Sequence, residues 1–178
     1  MQLITGIPTK SSGFSMIEVL VSLLVIVVGV LGMVGLQSKA IPSTQDSAQR
    51  NTAIMLADDL LELIRSNPNC GTIGSCQKLP GASFPTVPSA CIPTPISFND
   101  QVGCWAVQAG NALPGASALL KTGFYVCNSA TPGDVTASSC GTGSEIEIQL
   151  SWTVKTAGDC MDPSNSSTTC TYKIRTRR

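Results

Sequence analysis

Histidine is absent from the 178-residue chain, which removes the side chain that most often serves as a general base or as a metal ligand. Aromatic residues make up only 4% of the chain, so platforms on which bases or sugar rings stack are scarce. Neither sign of charge is in excess, because eleven basic residues balance eleven acidic ones. The composition therefore argues against histidine-dependent catalysis, and we predict no nucleic-acid partner.

The most informative stretch that is present lies near the N-terminus. Residues 19–36 carry no charge and are almost all apolar, and Glu18 directly precedes them. A segment of this length and composition predicts a helix that crosses a bilayer. A carboxylate beside such a segment is costly unless it has a dedicated partner, so we expect Glu18 to be functional.

The residues around this carboxylate resemble the processing site of type IV prepilins. Gly13 is followed by Phe14 and then by Glu18, and residues 13–35 (GFSMIEVLVSLLVIVVGVLGMVG) are similar in particular to the minor pilins called type IV pilus modification protein, PilV. The resemblance implies that a prepilin peptidase cuts between Gly13 and Phe14, and that Phe14 is then N-methylated. It also implies that Glu18 sets the register of subunits during assembly.

A physical argument supports this role for Glu18. Cleavage would create a cationic amine at Phe14, which is the natural partner for the Glu18 carboxylate on the same or a neighbouring chain. A subunit that docks out of position would leave one buried charge unpaired, and this is strongly penalised. The alternative is a carboxylate at a helix end that reaches the membrane surface and has no partner.

A different cleavage site would remove both residues. Residues 38–40 (SKA) resemble a signal-peptidase site and would give a mature chain that begins at Ile41. The uncharged stretch is longer than the core of about 7 to 15 residues that signal peptides have, which favours the prepilin interpretation.

The chain is predicted to divide into four parts. The resemblance to prepilins implies the identity of each part. The first two are a cleaved prepilin leader (1–13) and a hydrophobic transmembrane and assembly helix (14–36). They are followed by an amphipathic helix that continues into the head (37–67) and an exported, disulfide-rich β head domain (68–178). Pro42 removes one backbone donor and would either bend or interrupt the helix. Without interruption, residues 14–66 would span about 80 Å, so half must stand outside the bilayer.

Two patterns predict how the head packs. On the amphipathic helix, Ile54, Ala57, Leu61 and Ile64 recur at helical spacing. Residues 145–154 alternate strictly, which predicts an antiparallel strand with one buried face and with Glu145 and Glu147 facing outward. Shorter strands are predicted at residues 103–107, 123–127 and 171–174, and a loop is predicted at residues 69–95.

A small sheet that covers the helix would bury both apolar faces. The predicted fold class is therefore α+β: a long N-terminal helix, hydrophobic and then amphipathic, packed on a small antiparallel β-sheet with disulfide-rich loops. The resemblance to pilins implies the same architecture.

Eight cysteines follow the hydrophobic segment, and none of them forms a Cys-x-x-Cys pair. An even number on the exported side predicts disulfides in an oxidising compartment, and the spacing is unlike that of a zinc site. Eight cysteines allow 105 connectivities. Neighbour pairing is our expectation: Cys70–Cys76, Cys91–Cys104, Cys127–Cys140 and Cys160–Cys170.

The remaining charged and aromatic residues are predicted to be structural. Asp58, Asp59 and Glu62 form a solvated helix face. Trp105 and Trp152 are expected in the core, with surface binding as the alternative. The C-terminal basic residues are expected to keep an edge strand soluble, with contact to an acidic partner subunit as the alternative. These are Lys173, Arg175, Arg177 and Arg178.

The resemblance implies a minor type IV pilin that helps to start pilus assembly in a tip complex and supports motility and adhesion. Its partners would be other minor pilins, the major pilin, the prepilin peptidase, the inner-membrane assembly platform and the lipid bilayer. It would lie in the bacterial inner membrane with its head in the periplasm, and on the cell surface after assembly. We predict no catalytic residue, metal or cofactor.

Three alternatives remain open. The N-terminal residues alone do not separate a pilin from a pseudopilin of a type II secretion system. A tip adhesin would use loops at residues 70–95 or 127–140 to recognise a surface or a glycan. A secreted enzyme behind an ordinary signal peptide would begin at Ile41, and the absence of histidine weighs against it.

Overall fold

The computed structural model describes residues 13–71, 76–161 and 167–177. Most of the predicted leader and Arg178 lie outside the described residues. In chain order the elements are helix α1 (Met16–Ser66), a 3₁₀ turn (Pro68–Gly71), helices α2 (Phe98–Ala112) and α3 (Ala116–Leu119), and strands β1 (Tyr125–Ser129), β2 (Glu145–Thr153) and β3 (Thr169–Arg177). The predicted α+β fold class, with a long N-terminal helix and a small antiparallel sheet, is confirmed.

The chain forms two compact units, Met1–Ile41 and Pro42–Arg178. Helix α1 contributes residues to both units, because Pro42 lies inside the helix. We call the second unit the head.

One face of α1 supplies the helical side of the core of the head. Its buried residues are Ala53, Leu56, Ala57, Leu60, Leu61 and Ile64. This is the spacing of three and four residues that places side chains along one helical stripe. Ile54 was wrongly assigned to this face, since 37% of it is exposed. The buried stripe also includes Ala53 and Leu56, which the sequence analysis did not identify.

The sheet has the order β1-β2-β3, with both pairs antiparallel and β2 in the centre. Ile148 of β2 lies opposite Val126 of β1 and Ile174 of β3, which fixes the register. The alternating residues of β2 that were predicted to face the core are buried, apart from Val154, which is partly buried beyond the end of the strand. They are Ile146, Ile148, Leu150 and Trp152.

Residues 103–107 were predicted as a strand and instead lie within helix α2. The helix buries Val102, Trp105, Ala106 and Ala109. This helical spacing of three and four residues spans eight positions, so the five-residue window of the strand prediction was too short to show it. Trp105 is buried in the core as expected, and its indole nitrogen donates to the Leu56 carbonyl oxygen at 2.9 Å.

Four disulfides cross-link the connections between these elements, and no described cysteine is free. Each bond joins cysteines that are neighbours in the sequence and closes a short loop. The pairs are Cys70–Cys76, Cys91–Cys104, Cys127–Cys140 and Cys160–Cys170, with sequence separations of 6, 13, 13 and 10 residues.

Candidate functional site

The predicted cleavage position lies just before the first turn of α1. Gly13 and Phe14 are outside the helix, and 82% of Phe14 is exposed. The Ser15 carbonyl oxygen accepts the first helical bonds, from the backbone nitrogens of Glu18 at 3.0 Å and Val19 at 3.3 Å. The bond between Gly13 and Phe14 is therefore both exposed and free of helical hydrogen bonding.

The helix that follows presents apolar side chains to the outside on all sides. Residues 13–38 are all exposed, and even Val27, the most covered of the large apolar residues before Leu36, is 47% exposed. Within the described residues, α1 is the one helix long and apolar enough to cross a membrane. An apolar surface of this extent needs lipid or protein around it.

Two serine hydroxyls in this segment are hydrogen-bonded inside the helix. The hydroxyls of Ser22 and Ser38 donate to the carbonyl oxygens of Val19 and Gly35, both at 2.9 Å. Such internal bonding is what an apolar environment requires. Glu18 has no ion-pair partner within the described part of the chain, so its carboxylate is available to a cation from outside it.

The glycines of this helix are equally open. A side-chain carbon added at Gly29, Gly32 or Gly35 would meet no atom within 4 Å. No atom of the described residues occupies these positions, and small residues allow a second helix to approach closely in a membrane.

A buried carboxylate that the sequence did not reveal ties α1 to the rest of the head. Asp46 is 1% exposed and accepts from the indole nitrogen of Trp152 at 3.1 Å. Its second oxygen accepts from the Arg50 side chain at 3.0 Å and from the backbone nitrogen of Met161 at 2.9 Å. The spacing of four residues between Asp46 and Arg50 is the one sequence feature that indicates an ion pair. The burial of Asp46 could not be predicted from it, because distant residues cover the carboxylate.

Glu147 was expected to face outward, and this was wrong. Only 3% of it is exposed, because the connection between β1 and β2 covers this face of the sheet. The carboxylate accepts from the Tyr125 hydroxyl at 2.6 Å, the Gly133 backbone nitrogen at 2.9 Å and Arg175 at 3.1 Å. Burial alone would raise the pKa of Glu147, but these hydrogen bonds outweigh it and hold the pKa below its usual value.

The same cluster changes the interpretation of the C-terminal basic residues. Arg175 is engaged by Glu145 at 2.5 Å and by the Ser129 carbonyl oxygen at 2.8 Å, so it holds the sheet together. Lys173 and Arg177 remain exposed on β3, as expected of an edge strand. Asp58, Asp59 and Glu62 are exposed on α1, as predicted for a solvated face.

Lys78 is a third buried charged residue that the sequence analysis did not identify. Its ammonium group donates to the carbonyl oxygens of Leu120, Lys121 and Phe124 at 2.7, 2.9 and 2.5 Å. Desolvation by burial lowers the pKa of Lys78 to about 8. Its backbone pairs with Val126, which covers part of the outer edge of β1.

Comparisons with known proteins agree with this geometry. Residues 8–34 match the family model of the prokaryotic N-terminal methylation motif, and residues 35–108 match that of the type IV pilin Tt1218. Comparisons with curated proteins and with solved structures found no match.

The two adjacent matches together cover more than half of the chain. They describe a class of protein that has an N-terminal methylation motif on an apolar helix, followed by a head that here contains four disulfides. The motif and the apolar helix fit a protein that is anchored in the inner membrane. The chain belongs to the type IV pilins, which are structural proteins. Membership implies processing by a prepilin peptidase and assembly with other pilins.

Proposed function

We propose that this chain is a minor type IV pilin that joins other minor pilins at the pilus tip and helps to start assembly of the major pilin. The observation that carries the proposal is the exposed apolar segment of residues 14–36, which contains Glu18, a carboxylate with no ion-pair partner among the described residues. The resemblance of residues 13–35 to the minor pilins called PilV supports the minor role.

Processing is the first step of the proposed mechanism. The peptidase removes residues 1–13, and Phe14 becomes the N-methylated first residue. Gly13 suits this step because it is small and precedes the helix, so the peptide bond can enter a protease site without unwinding.

The apolar helix then holds the subunit in the inner membrane, with the amphipathic helix of residues 37–67 and the β domain of residues 68–178 in the periplasm. The assembly platform transfers the helix from lipid into a bundle of pilin helices. This exchange replaces one apolar environment with another, so close packing at small residues contributes much of the association.

Glu18 gives this transfer its register. Its carboxylate pairs with the amine of Phe14 on the same or a neighbouring subunit. A subunit that loses this pairing inside the bundle carries an uncompensated charge, at a cost of about 3 to 5 kcal/mol. The assembled tip lies on the cell surface, where it supports motility and adhesion.

The test is the intact mass and N-terminal sequence of the protein isolated from its native membrane. We expect a chain that begins with methylated Phe14. A Gly13→Val variant should retain its leader, because a branched side chain does not fit where glycine is required. A Gly6→Val variant is the matched control and should be processed normally. A mature chain that begins at Ile41 would overturn the proposal.

A second measurement separates a minor pilin from a type II secretion pseudopilin. Sheared pili are analysed by quantitative mass spectrometry, and we expect this chain at a small fraction of the amount of major pilin. Deletion should reduce the number of pili. Normal piliation combined with a loss of protein secretion would assign the chain to the secretion system.

A further inference from the structure

One disulfide joins two parts of the head that hold the buried Asp46 carboxylate. Cys170 of β3 is the cross-strand partner of Trp152 in β2. Its disulfide partner, Cys160, directly precedes Met161 in the chain. The Trp152 indole nitrogen and the Met161 backbone nitrogen donate to Asp46 from outside α1, at 3.1 and 2.9 Å. The disulfide therefore brings these two donors together.

Met161 depends on this disulfide for its position. Residues 155–158 before it are exposed, and their hydrogen bonds close a local turn. Met161 itself is bonded to α1: its nitrogen donates to the buried carboxylate, and its sulfur accepts from the Ser47 hydroxyl at 3.5 Å. Cys160 belongs to the core of the head, so its bond to Cys170 fixes this segment to the sheet.

Loss of the Met161 donor favours the release of Asp46 from the sheet. The carboxylate is 1% exposed, and a buried charge is stable only while hydrogen bonds replace its hydration. Arg50 pairs with it at 3.0 Å but belongs to the same helix, so this pair moves with α1. Without Met161, the neutral Trp152 donor alone opposes the hydration that both charges regain in water.

We propose that the Cys160–Cys170 disulfide is an oxidation-dependent latch for helix α1. In the disulfide form the two donors hold Asp46, and residues 46–50 of α1 are docked on the sheet. In the dithiol form Met161 is released and these residues separate from the sheet. The apolar stripe further along α1 keeps its own packing in both forms.

Closing the latch is a thiol–disulfide exchange. The thiols of Cys160 and Cys170 lose two electrons and two protons as the S–S bond forms. A protein disulfide of the compartment that the head enters accepts both and becomes a dithiol. Both cysteines are buried in the folded head, so a reductant reaches the bond only after the head opens. The latch therefore closes once, during folding, and then stays closed.

The latch is a property of the head and does not rest on the proposed role of the chain as a minor pilin. It is measured on the purified protein, whereas that role is measured by processing at Phe14 and by the composition of pili. Failure of either proposal leaves the other standing.

The two tryptophans of the chain report on the latch separately. The Trp152 indole nitrogen donates to Asp46, and the Trp105 indole nitrogen donates to the Leu56 carbonyl oxygen of the same helix. Hydrogen exchange of both indole groups is measured by NMR on the full-length, tryptophan-labelled protein in detergent micelles. Trp152 then reports on the latch, and Trp105 reports on the contact between α1 and α2.

Removal of the disulfide should release Trp152 selectively. In Cys160→Ala/Cys170→Ala we expect hydrogen exchange at the Trp152 indole to accelerate at least about tenfold, because a hydrogen bond to a charged group is lost. Exchange at the Trp105 indole should change by less than about threefold, because this local opening does not involve α2. Equal acceleration at both indoles would indicate a general loss of stability and would overturn the inference, as would unchanged exchange at Trp152.

Cys91→Ala/Cys104→Ala is the matched control, because it removes a disulfide of similarly short sequence span next to Trp105. It should leave exchange at the Trp152 indole within about threefold of the wild-type rate. Acceleration at Trp152 as large as that in the latch variant would show that any disulfide has this effect, and would contradict the inference.

A reverse experiment keeps all eight cysteines. Coupling between two sites is reciprocal, so weakening the Asp46 anchor should open the way to the disulfide. In Asp46→Asn, we expect reduction of Cys160–Cys170 by a phosphine to accelerate at least about tenfold, while Cys91–Cys104 is reduced at its wild-type rate. Alkylation followed by mass spectrometry measures both. An unchanged rate at Cys160–Cys170 would overturn the inference, and this test stands even where the cysteine variant does not fold.

Discussion

The Asp46 carboxylate and the Trp152 indole meet at 3.1 Å although they lie 106 residues apart in the chain. Asp46 lies on α1 just after the start of the head, and Trp152 is at the end of the central strand, where it is completely buried. The bond therefore fixes the helix to the sheet near the point where the head begins. Arg50 reinforces the pair, because its guanidinium lies 5.7 Å from the Trp152 ring centre.

Replacing Asp46 should destabilise the head strongly. Asp46→Ala leaves the Trp152 and Met161 donors and the Arg50 charge without their partner, and we expect a loss of about 3 to 5 kcal/mol in the free energy of unfolding. Urea denaturation of the full-length protein, followed by tryptophan fluorescence, measures this loss. Asp59→Ala, an exposed acid on the same helix, should change stability by less than about 0.5 kcal/mol. Equal effects of the two variants would refute the anchoring role.

Removing the Glu18 charge should block assembly without affecting processing. In Glu18→Gln we expect normal removal of the leader and normal membrane insertion. Incorporation into pili should fall at least about a hundredfold, as expected when about 3 kcal/mol of pairing is lost. Mass spectrometry of membranes and of sheared pili measures both. Glu18→Asp is the conservative control and should recover part of the incorporation; a variant lacking the charge that assembles normally would contradict the register role.

The stabilisation contributed by Glu147 should be lost in acid. Its folded-state pKa lies below its usual value of about 4.3, so the unfolded chain binds the proton more tightly than the folded one. The contribution is therefore fully present above the unfolded pKa and disappears as the pH falls through the lower folded pKa. The difference in unfolding free energy between wild type and Glu147→Gln should be large at neutral pH and small at an acidic pH below the folded pKa of Glu147. An equal difference at both pH values would show that the charge is not responsible.

Adding a single methyl group at Gly103 should disturb the packing of helix α2 against residues 85–86. In Gly103→Ala the new carbon would lie 2.8 Å from the Thr86 carbonyl oxygen, so the backbone of one segment must shift. We expect a loss of about 1 to 3 kcal/mol in unfolding free energy, typical of overpacking. Gln108→Ala, at an exposed position of the same helix, is the matched control and should remain near wild type.

Sequence patterns predicted those parts of the fold that depend on local order. The strict alternation of β2 and the long apolar stretch of α1 extend over enough residues to define their period. Residues 103–107 of helix α2 were wrongly predicted as a strand, because five residues are too few to distinguish the helical period of 3.6 from the strand period of 2. At the candidate site, the Gly13, Phe14 and Glu18 pattern was visible because it occupies six consecutive residues.

The buried charges were not predictable in this way. Asp46, Lys78 and Glu147 are polar residues whose burial depends on donors or acceptors supplied by distant segments. Lys78, for example, is held by carbonyl oxygens 42 to 46 residues away. Nothing in the neighbouring sequence indicates such an environment, because it exists only after the head has folded.

The short sequence span of each of the four disulfides has a consequence for the proposed export of the head. No bond spans more than 13 residues, so each can close soon after its second cysteine has crossed, in the order in which the chain is exported. An oxidant acting on the emerging chain then needs no thiol shuffling by an isomerase to reach the native connectivity. The long-range ties, such as the one from Asp46 to Trp152, are non-covalent and form only when β2 arrives. Under the proposed export, oxidation can be completed stepwise as the chain crosses, while the final docking of helix and sheet waits for the C-terminal half of the chain.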